Sequence, residues 1–104
     1  MYKIKYYESA KKDIDDILLY ISQTLNNPSA ALKLLKEFKR ADKIIILFPH
    51  GILKYNNEFD YYIHKVKNYY FYYKIDEIGK IITIVRVLYK SRNFESLIND
   101  ECNK

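Results

Sequence analysis

The ten residues Lys80-Ile81-Ile82-Thr83-Ile84-Val85-Arg86-Val87-Leu88-Tyr89 decide the fold. Read as a strand, both of their alternate sets are apolar. Ile82, Ile84 and Leu88 make one set; Ile81, Val85 and Val87 make the other. A strand covered on both faces, and therefore central in its sheet, has this pattern. Arg86 is the exception, in register with Ile82, Ile84 and Leu88. Working back from there, the hydrophobic period is two from Phe59 onwards, which predicts strands at 59–67, 69–76 and 80–89. Lys67-Asn68 reads as a tight turn. Asp76-Glu77-Ile78-Gly79 reads as a hairpin loop in which Gly79 supplies a positive φ. Residues 50–57 read as a loop.

Further back the period lengthens. Ala10, Ile14, Ile17, Leu18, Ile21 and Leu25 form one apolar stripe, predicting an amphipathic helix capped by Ser9 and ending near Asn26. Asp13, Asp15 and Asp16 lie in its N-terminal half, where the macrodipole favours acids. Asn27 is the expected N-cap of a second helix, with Pro28 at its first position. That helix carries the stripe Ala31, Leu34, Leu35, Phe38, Ala41, Ile45 and Phe48, stopped by Pro49-His50-Gly51. So short a link makes the two helices an antiparallel pair. Residues 2–7 alternate as a first strand, and Asn93 to Asn99 read as a short closing helical segment. The expected fold class is α+β, ordered β-α-α-β-β-β: a helical hairpin on a twisted antiparallel sheet, as a single domain over residues 1–104.

Composition narrows the partners. One cysteine, Cys102, precludes an intrachain disulfide or a four-cysteine metal site. No metal site and no cofactor is expected. The longest apolar run, Ile44 to Phe48, is far short of the roughly 20 residues that span a bilayer. The charged opening Met1-Tyr2-Lys3-Ile4-Lys5 lacks a signal-like apolar segment, so the expected setting is cytoplasmic, with no membrane partner. The net charge of +5 favours a polyanionic partner. Residues 59–94 hold seven bases against three acids. Lys, Ile, Tyr and Asn supply 50 of 104 residues, as an A+T-rich genome would dictate. Against that bias the three arginines, Arg40, Arg86 and Arg92, are better functional candidates than any single lysine.

Four stretches carry a resemblance. Ser9-Ala10-Lys11-Lys12-Asp13-Ile14, with Ile17 and Tyr20-Ile21, resembles the first helix of the RelE/ParE superfamily of toxins from type II toxin–antitoxin modules, the plasmid-stabilisation type. Asn27-Pro28-Ser29-Ala30-Ala31 resembles that superfamily's helix–helix junction. Asn68-Tyr69-Tyr70-Phe71-Tyr72-Tyr73-Lys74-Ile75-Asp76 resembles its third strand, and Ile84 to Asn93 its closing strand and arginine motif. The similarity runs from Tyr2 to about Ile98. It implies a growth-inhibiting toxin neutralised by a cognate antitoxin, small and acidic. RelE-like members cleave mRNA in the ribosomal A site; ParE-like members inhibit DNA gyrase. The resemblance leaves both targets open.

Metal-free RNA cleavage needs a base for the 2′-hydroxyl, an acid for the leaving 5′-oxygen and cations on the phosphorane. An endoribonuclease (mRNA interferase) would draw these from Arg86, Arg92, His64 and Tyr89 as catalytic candidates, with Lys65, Lys67 and Lys90 on phosphates. Arginine suits phosphate because its fork stays charged and binds two oxygens. Each candidate has a plainer reading. Arg86 can form a structural salt bridge, with Asp60 or Asp76 as examples of partners; His64 can be an ordinary strand residue beside a turn; Lys65 and Lys67 can be a solvated edge. Tyr89 is a poor base without help. Two departures fit a gyrase-directed, non-enzymatic member better. Tyr70 stands where RNA-cutting relatives commonly have Arg, and their paired basic residues are thinned to Lys90-Ser91-Arg92. Six tyrosines between Tyr61 and Tyr73 read as core and antitoxin-binding surface rather than a base-stacking platform.

Overall fold

The computed structural model describes residues 1–51, 53–54 and 61–94. The elements are β1 (Lys3–Tyr6), α1 (Glu8–Leu19), a π-helical turn (Tyr20–Thr24), α2 (Pro28–Leu47), β2 (Leu53–Lys54), β3 (Tyr62–Val66), β4 (Tyr69–Asp76) and β5 (Ile81–Tyr89). They form one five-stranded sheet in the order β1-β5-β4-β3-β2, with the helical hairpin on one face. The fold is the α+β arrangement expected. The sheet is mixed rather than wholly antiparallel, because β1 enters beside β5 in parallel, Lys3 opposite Ile81 through Tyr6 opposite Ile84. The two helices between β1 and the rest of the sheet carry the chain over one face, and a parallel neighbour needs such a crossover. Residues 50–57, expected as a loop, contain the two-residue edge strand β2 on β3. The closing segment from Glu95 and the N-terminal part of the first predicted sheet-half strand, through Asp60, lie outside the described residues.

Local signals explain most boundaries. Asn27 caps α2 as expected: its side-chain oxygen accepts from Ala30 N–H at 3.2 Å, with Pro28 in the first turn. Ser9 does not cap α1. The helix begins one residue earlier, at Glu8, and the Ser9 hydroxyl donates instead to the Val85 carbonyl. The π-turn extends the helical path past Leu19 to Thr24, close to the expected end. In the β4–β5 loop the positive φ falls on Lys80 (57°), not on Gly79. Gly79 is needed for space: a Cβ there would sit 2.6 Å from Asp76 Oδ2, whose partner oxygen Oδ1 accepts from both Ile78 and Gly79 N–H.

A bulge in β5 changes the face of its last residues. Tyr72 lies opposite Arg86 and Tyr73 opposite Ile84, leaving Val85 as the extra residue. Ile82, Ile84 and Val87 therefore face the helices, meeting Ala10, Leu34, Phe38, Ala41 and Ile45. Val85 and Leu88 face the other side, with Tyr61, Tyr72 and Phe94. Strict alternation predicts the opposite placement for Val87 and Leu88. Both faces are covered, as a central strand requires; Phe94 stacks on Tyr72 with centroids 3.9 Å apart. Of the predicted α2 stripe, Phe48 is exposed, because the helix ends before it.

Two polar contacts tie the hairpin down. The buried Tyr73 hydroxyl, its pKa pushed up to about 12 by burial, donates to the Pro49 carbonyl at 2.6 Å and anchors the end of α2. Tyr6 in β1 donates to the Asp42 carboxylate of α2. Burial raises the Asp42 pKa, outweighing that hydrogen bond, so the native state holds the proton to higher pH than the unfolded chain. This contribution to stability falls as pH rises from the ordinary carboxylate range through the raised value. In urea titrations, stability relative to Asp42→Asn should therefore improve for the native sequence as pH is lowered from neutral into the ordinary carboxylate range, and an unchanged difference would contradict it.

Candidate functional site

The strand order gathers most of the sequence's candidate residues at one end of the sheet. Lys67 occupies the β3–β4 turn with φ 56°. Lys90 N–H donates to the Asn68 carbonyl at 2.9 Å, which holds the end of β5 against that turn. Arg92 follows on a tight turn, its N–H on the Tyr89 carbonyl. Lys65, Lys67, Tyr89, Lys90 and Arg92 are all exposed. Lys65 lies on the sheet face away from the helices, its Nζ 6.0 Å from the centroid of Tyr70. The stretches 61–75 and 81–94 contain no aspartate or glutamate, so these cations have no acidic neighbour on their own strands.

Tyr89 is at this end but on the helix side, edge-on to Tyr69 with centroids 5.7 Å apart. His64 also faces the helix side, by the alternation of β3. It lines an apolar groove of about 850 Å³ under the end of α2, with Ile44, Leu47 and Phe48. Burial there lowers its pKa and favours the neutral ring. His64 and Lys65 leave β3 in opposite directions, yet Lys65 too contributes to the lining of this groove.

Arg86 is placed differently again. Its Nε and Nη2 donate to the two carboxylate oxygens of Asp13 in α1 at 2.7 and 2.8 Å. Both side chains are about seven-eighths covered, at 14% and 13% exposure. Asp13 Oδ2 also accepts the Val87 N–H at 3.0 Å. The reason lies in β1. Its last link to β5 is Tyr7 N–H on the Ile84 carbonyl, and beyond that α1 runs along the β5 edge in place of a strand. Ser9 takes up the Val85 carbonyl, and Asp13 takes up the Val87 N–H and the Arg86 fork. Asp60 lies outside the described residues, while Asp76 accepts from the backbone of its own hairpin loop. Sequence reading placed Asp13 as a helix-dipole acid; nothing local in the chain links it to a residue 73 positions away. Among the described residues there is no cluster of three or more His, Cys, Asp or Glu side chains that could hold a metal. Among them, too, no helix is long and apolar enough to cross a membrane.

A helical hairpin on a mixed sheet, with a basic, acid-free sheet end, is the architecture of small toxins of the RelE/ParE type. Solved structures share that fold. The chain aligns over 86% of its length, and 96% of the other's, with a chain of the chromosomal ParDE toxin–antitoxin system of P. aeruginosa, at TM-score 0.72 and 20% identity. It aligns with the isolated RelE toxin of E. coli over the whole of both chains, at TM-score 0.63 and 14% identity. A chain of the RelBE2 toxin–antitoxin complex of Mycobacterium tuberculosis gives TM-score 0.61 at 18% identity, covering 88% of this chain and 93% of that one. At these identities the likeness is one of fold. No curated protein matches the chain. The family is set by sequence: residues 4–94 match the model of the ParE toxin of type II toxin–antitoxin systems, parDE. The chain belongs to this family of toxins.

Proposed function

We propose that this toxin acts as a non-enzymatic, ParE-like inhibitor of DNA gyrase, and that the basic sheet end is the surface that meets its target. The observation that carries this reading is the occupied fork of Arg86. The cation best suited to clamp a scissile phosphate is held through its Nε and Nη2 by both carboxylate oxygens of Asp13. A nuclease also needs a base and an acid within reach of one phosphate, about 3 Å from each. His64 and Lys65 leave β3 in opposite directions, and Tyr89 stands edge-on to Tyr69. Binding asks less: Lys65, Lys67, Lys90 and Arg92, clear of acids on their strands, suit an anionic surface. The natural partner in this reading is a small acidic antitoxin, acting with the toxin in the cytoplasm.

The second reading, a ribosome-dependent mRNA endonuclease, is supported by Lys65 beside the Tyr70 ring, a pairing that can stack on a base and track its phosphate. It would have to work with Arg92 and Tyr89 as its chemical groups. Induction of the toxin with two readouts separates the two. The expected result is an SOS response without mRNA cleavage at A-site codons. Cleavage without SOS would replace the first reading by the second. Under either, Lys90→Ala with Arg92→Ala should relieve growth arrest by about tenfold or more in survival, with an unchanged melting curve, since both side chains are exposed. Full toxicity in this folded double variant would remove the sheet end from the working surface.

A further inference from the structure

The outer face of the helical hairpin, turned away from the sheet, has no role in the reading above. Leu19 at the end of α1 is 51% exposed and Leu32 in α2 is 55% exposed. Between the helices runs a shallow groove of about 460 Å³, lined by Leu18, Leu19, Pro28, Ala31, Leu32 and Leu35. Its two rims differ in sign. Over Glu8–Leu19, α1 has four acids and two bases; over Pro28–Leu47, α2 has five bases and two acids. Asp15 on the α1 rim, and Lys36 and Lys39 on the α2 rim, form no ion pair among the described residues.

We propose that this face binds a second copy of the same chain, hairpin to hairpin, with the two-fold axis along the groove. A rotation about that axis lays α1 of one copy over α2 of the other. Each acidic rim then meets a basic rim, Leu19 and Leu32 of both copies close over the shared centre, and one patch serves both partners, as an isologous contact requires. Asp15 lies at the level of Leu35 and Lys39, where it lines a second depression between the helices. It therefore comes over the Lys36–Lys39 stretch of the partner. A purely acidic partner fits this face less well, because half of its charges would lie against the acids of α1.

Sedimentation velocity on the purified full-length chain, from low to high micromolar concentration, tests the proposal. The mass should rise toward twice the chain's 12.6 kDa. Leu32→Glu should hold the protein at the monomer mass while keeping its melting curve, the side chain being half exposed. Asp15→Lys and Lys36→Glu should each weaken the dimer by about tenfold, and the two together should restore it, which no general loss of structure would do. A chain that is monomeric throughout, a dimer indifferent to Leu32→Glu, or a charge exchange without restoration would each overturn the assignment.

Discussion

Asp13→Ala is expected to lower folding stability by about 3–5 kcal/mol, the range for removing one partner of a buried ion pair. The substitution strips the Arg86 guanidinium of its two hydrogen bonds to Asp13 and leaves the Val87 N–H without that acceptor, all in a site where little solvent enters. Helix propensity works the other way, since alanine is the better helix former, so the loss is attributable to the edge contact alone. Asp13→Ala with Arg86→Met should be less harmful than Asp13→Ala by itself, because the charge that has lost its carboxylate is removed as well. Urea denaturation of the three variants measures both quantities. A cost below about 1 kcal/mol for Asp13→Ala would mean that the pair is weak and that Arg86 is available to a phosphate after all. This bears directly on mutagenesis of the toxin: growth after Arg86→Ala reports on folding before it reports on chemistry, and the exposed Arg92 is the cleaner probe.

The second large effect is expected in the core. Phe71 has no solvent exposure, lies opposite Val87 on β5 and meets the Phe38 ring edge-on with centroids 5.3 Å apart. It joins the sheet to α2 at the centre of the main cluster. Phe71→Ala should cost about 3–5 kcal/mol, from lost burial and the cavity left behind. Small domains have only about 5–15 kcal/mol in total, so a large unfolded fraction at physiological temperature is the expected outcome. Phe71→Leu, which keeps most of the volume, should recover more than half of the loss in denaturant midpoint. Equal midpoints for the two variants would show that this part of the core relaxes around the gap.

The central position of β5, the helical hairpin and the cap at Asn27 were all legible, because each rests on short-range pattern: period, stripe and turn chemistry. What the sequence hid is non-local. The bulge at Val85 has no composition of its own, yet it exchanges the faces of Val87 and Leu88 and turns Arg86 away from the register that strict alternation assigns it. The parallel entry of β1 is likewise invisible in residues 2–7, whose alternation is the same for either direction. For the candidate site, the charge balance pointed to the sheet half, whose exposed bases the fold gathers at one end, and the turn at Lys67-Asn68 brings Lys90 beside it as a hairpin should. It could not distinguish a phosphate-binding arginine from one that seals a helix against a strand edge.

The pairing of β1 with β5 also bears on when the molecule comes into being. Strand β1 waits for β5 to be made, and the ion pair that ties α1 to β5 spans 73 residues. Closing so long a stretch of chain costs entropy before any contact is gained, which makes for slow folding. A growing chain that has delivered only the hairpin displays Ala10, Phe38 and Ile45 with nothing to bury them against. The surface proposed to meet the target, at the far end of β5, is completed only once that strand has been delivered. That surface thus exists only after the sheet has closed, however early the helices form.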